Sequence, residues 1–223
     1  MTVAVEPVRF SSGDLTLVGV LHRPQGSELP GVAVCHPHPL YGGDMENNVV
    51  VAICRALAEA SMVALRFNFR GVGGSGGSYG GGLGEGQDAW SALDFLAGLP
   101  EVDGGRLGLA GYSFGALVAL GAADERVRAL VAVSPPVGGL DPAAFRPGRP
   151  TLLISGDRDD VSPTERLPEM AAILGPTCEV RSAAGADHFW WGHEEALATT
   201  VLDFLRARLR APEAQPRGTL WSS

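Results

Sequence analysis

Between Leu109 and Leu120 the chain reads LAGYSFGALVAL, with Ser113 set two residues from Gly111 on one side and Gly115 on the other. A serine hydroxyl is a poor nucleophile unless a turn exposes it beside a base. Gly-x-Ser-x-Gly between an apolar strand and a small-residue helix predicts such a turn. Larger residues at Gly111 or Gly115 would collide with the adjoining strand and helix. The turn also sets a helix N-terminus beside the hydroxyl, where free N–H groups favour developing negative charge. The competing reading of the same five residues is a tight structural turn with an incidental serine.

A nucleophilic serine needs a histidine, and the histidine needs a carboxylate to fix its tautomer. Chain order in this arrangement is serine, then acid, then histidine. Only His188 and His193 follow Ser113. His188 lies in AAGADHFWWG, a loop after the last apolar strand, from which a side chain can reach back over the sheet. His193 opens the closing helix and reads as a cap or a solvent-facing residue. For the acid, LLISGDRDDVSP offers Asp157, Asp159 and Asp160, and spacing alone leaves the three open. Acyl transfer also needs N–H donors for the oxyanion. One is the backbone N–H of Phe114, directly after the nucleophile.

Two further patterns suggest other chemistry. His36 and His38 in CHPHP could in principle share a metal, but no carboxylate or cysteine with zinc spacing lies nearby, so no metal is expected. Asp44, Asn47 and Asn48 read as helix caps rather than ligands. RGVGGSGG fits Gly-x-Gly-x-x-Gly at Gly71, Gly73 and Gly76. The glycines run on through YGGGLGEG, however, and no helix opens at the third, so a loop beside the pocket is expected and no cofactor.

These residues need a frame. Strands are predicted at Leu15–Pro24, in GVAVCHP, at Met62–Phe69, and in RLGLAGYS, VRALVAVS, PTLLISG and CEVRSA. Helices are predicted at Met45–Ala60, near Gln87–Ala97, in FGALVALGAA, at Thr164–Leu174 and at Glu194–Leu209. Apolar strands alternating with helices predict a mostly parallel sheet covered on both faces. The first two of these strands have no helix between them and are expected to form an antiparallel edge. CHPHP, GYSFG, GDRDD and GADH all follow strands, at the carboxyl edge where open α/β sheets build their sites. Residues 1–210 are expected to form a single domain and 211–223 a mobile tail, in which Leu220 and Trp221 could dock.

Composition narrows the function classes. The chain has 223 residues, 17 basic against 25 acidic, and a net charge of −8. With no basic run, it is a poor partner for a phosphate backbone, so nucleic-acid binding is not expected. Three scattered cysteines, Cys35, Cys54 and Cys178, form no CxxC pair and predict reduced, mostly buried thiols. Neither a secretion signal nor a membrane span is visible, which predicts a cytoplasmic protein. A homo-oligomer is compatible with the sequence.

With the elbow, the downstream acid cluster and the late histidine in view, the chain resembles the α/β-hydrolases from about Val8 to Arg210. It is most similar to small lid-less bacterial members with dienelactone-hydrolase-like and serine-esterase relatives. The resemblance implies a twisted, mostly parallel sheet of about eight strands with no large cap domain. Its Gly-x-x-Asp-x-x-x-Pro pattern falls on Gly156, Asp159 and Pro163, which selects Asp159 with Asp160 second, and its histidine falls on His188. It places the second oxyanion donor at the His38 N–H, since Pro39 has none. The segment SPPVGGLDPAAFRPGRP has room for about one helical turn where many relatives insert a lid. The implied pocket is open, walled by Leu40, Tyr41, Tyr79, Tyr112, Phe114, Pro136, Val137, Phe189 and Trp190. The implied activity is hydrolysis of small short-acyl carboxylic esters through an acyl-enzyme. Thioesterase or peptidase/amidase chemistry is the alternative on the same residues, although prolyl-oligopeptidase-type peptidases normally carry an extra domain. Dienelactone hydrolases usually have cysteine where Ser113 stands. A non-catalytic binding protein is disfavoured by the complete set of three side chains.

Overall fold

The structure, a computed structural model, describes residues 2–136, 138, 145 and 147–211. The expected pocket residue Val137, most of the segment expected to hold one helical turn, and residues 212–223 with Leu220 and Trp221 lie outside the described residues.

The chain opens with a hairpin of β1 (Val3–Ser12) and β2 (Leu15–Pro24), paired from Val3↔Pro24 to Ser12↔Leu15 around a two-residue turn. Then follow β3 (Leu29–Cys35), α1 (Asn48–Glu59), β4 (Val63–Phe67), α2 (Leu83–Ala97), β5 (Val102–Tyr112) and α3 (Phe114–Ala122). The chain closes with β6 (Val127–Val133), β7 (Thr151–Gly156), α4 (Leu167–Leu174), β8 (Cys178–Ala183) and α5 (Glu194–Arg208). The eight strands form one sheet in the order β1-β2-β4-β3-β5-β6-β7-β8. From β4 to β8 every pairing is parallel.

Strands without a polar face must be covered twice. Ala33 and Cys35 of β3 pack into one core layer while Val32 and Val34 pack into the other. Leu130 and Ala132 of β6 likewise oppose Ala129, Val131 and Val133. The first layer is covered by α2, α3 and α4, through residues such as Leu93, Leu120 and Met170. The second is covered by α1 and α5, through Ile53, Leu57, Val201 and Phe204.

The structure corrects three expectations. The two strands expected to make an antiparallel edge, β2 and β3, do not pair: β2 lies between β1 and β4, and β3 between β4 and β5. The true edge strand is β1, which went unpredicted because VAVEPVRF mixes charge with a proline, Pro7, opposite Val20. Helix α2 starts at Leu83 rather than near Gln87. Glu85, fully buried, accepts from the Gly80 and Gly82 N–H groups at 2.7 Å each, so a carboxylate satisfies the helix start that the glycines disguise. Helix α1 starts at Asn48 rather than Met45, because Asn47 is the cap and its side-chain oxygen accepts from the Val49 N–H at 3.0 Å.

Candidate active site

The elbow forms where β5 meets α3. Ser113 has φ 54° and ψ −120°, a left-handed conformation that side chains rarely adopt. Its N–H donates to Val133 O at 2.9 Å, tying the strained residue to the end of β6. Both glycines are there for space: a Cβ on Gly111 would lie 2.0 Å from Gly115 O, and one on Gly115 would lie 2.4 Å from Cys35 O. The helix therefore packs directly on the ends of β5 and β3. Phe114, first residue of α3, has no intrahelical acceptor for its N–H.

Three loops converge on that hydroxyl. His188, five residues beyond β8, places Nε2 3.1 Å from Ser113 Oγ. Its Nδ1 stands 3.0 Å from each oxygen of Asp159, three residues beyond β7. A carboxylate facing Nδ1 fixes the tautomer whose Nε2 is free to accept the serine proton. Burial pushes the Asp159 carboxyl up, but hydrogen bonds from His188, from the Ser134 hydroxyl and from the Ser162 N–H outweigh it and hold the group below its ordinary value. The Val161 and Ser162 N–H groups donate to Oδ1 at 3.0 and 2.8 Å. Asp160 is exposed, and Asp157 instead accepts from the Gly185 N–H at 2.7 Å.

The histidine loop is held from three sides. Tyr112 donates its hydroxyl to His188 O at 2.6 Å, and Asn48 Nδ2 donates to Phe189 O at 3.1 Å. Asp187 Oδ1 accepts the N–H groups of Phe189 and Trp190 at 2.9 and 3.1 Å. Asn48 thus links the start of α1 to this loop, rather than capping the helix.

A cavity of about 670 Å³ opens over Ser113, bounded by His38, Tyr41, Tyr112, Phe114, Pro136 and Phe189 among others. His38 Nδ1 accepts the Leu40 N–H at 3.2 Å, which leaves the ring proton on Nε2, 3.3 Å from the Tyr79 hydroxyl. The His38 ring lies 4.8 Å from both Tyr41 and Phe114 and 5.2 Å from Tyr79, centroid to centroid. Among the described residues, no acidic or basic side chain apart from the histidines lines this space.

Three expected pocket residues do not line the cavity; Tyr79 is set back from it against the His38 ring. Trp190 is fully buried in the core beneath the histidine loop, with Nε1 donating to Ser134 Oγ at 2.9 Å. Its backbone adopts φ 62°. Leu40 is two-thirds exposed and does not line the cavity. His193 occupies the N-cap position of α5 without a side-chain cap bond. Of the HPH pair, His36 has both ring nitrogens engaged by backbone: Nδ1 with Pro37 O at 2.7 Å, and Nε2 with the Phe69 N–H at 3.1 Å. That leaves it neither nitrogen for a metal, and no cluster of metal-ligating side chains exists among the described residues. Ser134 was not singled out from the sequence. A serine after an apolar strand carries no motif, and its φ of 47° and contact with Asp159 exist only in three dimensions.

A doubly covered sheet with a serine elbow at its carboxyl edge defines an α/β serine hydrolase without a lid. The family described as X-Pro dipeptidyl-peptidase (S15 family) matches residues 17–159, and the chain belongs to it. A solved structure of an alpha-beta serine hydrolase homologue from Coxiella burnetii is 35% identical, with a TM-score of 0.80, covering 89% of this chain and 96% of that one. XC6422 from Xanthomonas campestris, an α/β serine hydrolase without lid, is 29% identical with a TM-score of 0.82, covering 95% and 97%. The uncharacterized protein RP471 of Rickettsia prowazekii (strain Madrid E) is 30% identical over 213 residues, 89% of this chain and 87% of the relative. No helix among the described residues is long and apolar enough to cross a membrane.

Proposed function

We propose that this serine hydrolase is a carboxylesterase acting on small, neutral, short-acyl esters through an acyl-enzyme. Ser113 Oγ attacks the acyl carbon while its proton passes to His188 Nε2. The C–O bond of the ester then breaks, and the proton leaves with the alcohol. Water attacks the acyl-serine, gives a proton to His188, and the carboxylic acid departs as that proton returns to Ser113. Asp159 orients the imidazole and stabilises its charged form. The Phe114 and His38 N–H groups stabilise the tetrahedral oxyanion.

The observation that carries this reading is the 3.1 Å contact between Ser113 and His188, with Nδ1 bracketed by the Asp159 oxygens. An ester is favoured over the dipeptide chemistry in the family's description, because among the described residues the cavity lining offers no carboxylate to pair with a peptide's N-terminal ammonium. Esters also have better leaving groups than amides. The open mouth, with Tyr41 and Phe189 mostly exposed, favours acyl groups that need little enclosure.

A fluorophosphonate probe should label the wild-type protein and not Ser113→Ala. A panel of p-nitrophenyl esters from acetyl to decanoyl, acyl-CoAs and aminoacyl amides then ranks the chemistries, with the highest kcat/KM expected on the short esters. Full esterase activity in Ser113→Ala would overturn the assignment. A maximum at decanoyl would overturn the short-acyl preference, and faster turnover of acyl-CoAs or aminoacyl amides the ester preference.

A further inference from the structure

The opposite, amino-terminal edge of the sheet carries a second cavity, of about 820 Å³. Its walls come from the starts of β5, β6 and β7 and the end of α5. Five arginines line it: Arg106, Arg128, Arg149, Arg208 and Arg210. Among the described residues two carboxylates, Asp103 and Glu125, accompany them, in a chain whose net charge is −8. All 17 basic residues of this protein are arginine, so nearly a third of its cations surround one hollow.

Two of the five have structural work. Arg106 pairs with Asp103 at 2.8 Å and donates to Leu209 O at 3.3 Å, and Arg208 pairs with Glu179 at 2.7 Å. Arg128, Arg149 and Arg210 have no carboxylate within ion-pair distance among the described residues. Asp103 and Asp124 feel the fields of Arg128 and Arg149 only from further off. Arg128 is steadied through Nε, which donates to Gly105 O at 3.0 Å and leaves its terminal nitrogens unassigned. Arg128 lies on β6 two residues before the β6–β7 ladder begins at Leu130↔Thr151, and Arg149 lies two residues before β7.

We propose that this cavity binds a compact multivalent oxyanion of the pyrophosphate or phosphate-ester class, held by Arg128, Arg149 and Arg210. Planar guanidinium forks match phosphate oxygens bidentately, and a concave site concentrates their field. The hollow is open to solvent, and among the described residues no aromatic ring lines it for base stacking. The site is independent of ester hydrolysis, which belongs to the other edge of the sheet.

Isothermal titration with inorganic pyrophosphate at low ionic strength tests the proposal on the full chain. One saturable site is expected, weakening as salt is raised. The double variant Arg128→Gln/Arg149→Gln should weaken binding by about tenfold or more, with an unchanged thermal transition as the folding check. Should that variant lose its transition, Arg210→Gln, at an exposed position two residues past α5, is expected to weaken binding by about threefold or more. No saturable binding, or equal binding in the folded variants, would overturn the site. Citrate binding as tightly as pyrophosphate would overturn the assignment to phosphate.

Discussion

The indole of Trp190 reaches under the histidine loop to donate to Ser134 Oγ at 2.9 Å. Ser134 in turn helps to hold the Asp159 carboxyl below its ordinary value. Trp190, two residues after His188, and Ser134, directly after β6, therefore form a chain of side chains that ends at the acid. Both have positive φ, so the packing around them sustains two uncommon backbone conformations to make the contact.

Replacing Trp190 by Phe keeps most of the buried volume and removes the N–H. The expected cost is about 1 kcal/mol of stability, with a fall in kcat of about two- to tenfold. KM should change little, since the indole touches no substrate. Chemical denaturation together with steady-state kinetics on p-nitrophenyl acetate would show this, and an unchanged kcat would remove Trp190 from the positioning network.

The two neighbouring aspartates are expected to behave oppositely. Asp159→Asn takes the charge from His188 Nδ1 and should lower kcat by about a hundredfold to ten-thousandfold. Asp160 is exposed, so Asp160→Asn should stay within about twofold of wild type. Parallel kinetics on the two folded variants decide between them.

Glycine substitutions separate space from conformation. Gly115→Ala brings a methyl to 2.4 Å from Cys35 O and 2.5 Å from His36 O, both backbone atoms. A loss of about 3 kcal/mol or more is expected, because α3 must lift from the sheet. Gly86 lies inside α2 with nothing within 4 Å of an added Cβ. Gly86→Ala should therefore gain about 0.5–1 kcal/mol. Thermal melts of the pair read both signs.

Burial lowers His36 from 6.5 to about 4, partly offset by its bond to Pro37 O. The unfolded chain protonates this ring as pH falls through 6.5, whereas the folded chain does so only near 4. Stability is therefore complete above 6.5 and declines between 6.5 and 4, by about 3 kcal/mol from this ring. His22, lowered to about 4 by burial and by Arg66, adds in the same direction. Denaturation midpoints of His36→Gln should fall less steeply over that range than those of wild type. An identical slope would show that His36 does not titrate with folding.

The parts of this molecule legible from sequence are those fixed by local pattern. The continuous apolar runs of β5, β6 and β7 and the Gly-x-Ser-x-Gly turn act over a few residues, whereas Asp159 is singled out only by the family resemblance. Cross-chain contacts left no such trace. Trp190 looks like a pocket residue in HFWWG because nothing in the string reveals its positive φ. The start of α2 is hidden among glycines because its cap comes from Glu85 on the helix itself. Strand β1 escaped notice because an edge strand needs only one apolar face.

Pro7 has one more consequence. A second molecule lengthening the sheet at this end would zip onto β1, the first strand in the sheet order. Midway along, opposite Val20, it would meet an imide nitrogen with no hydrogen to give. That interruption blunts fibril-like growth at this margin, so partnership between copies has to be sought on other faces.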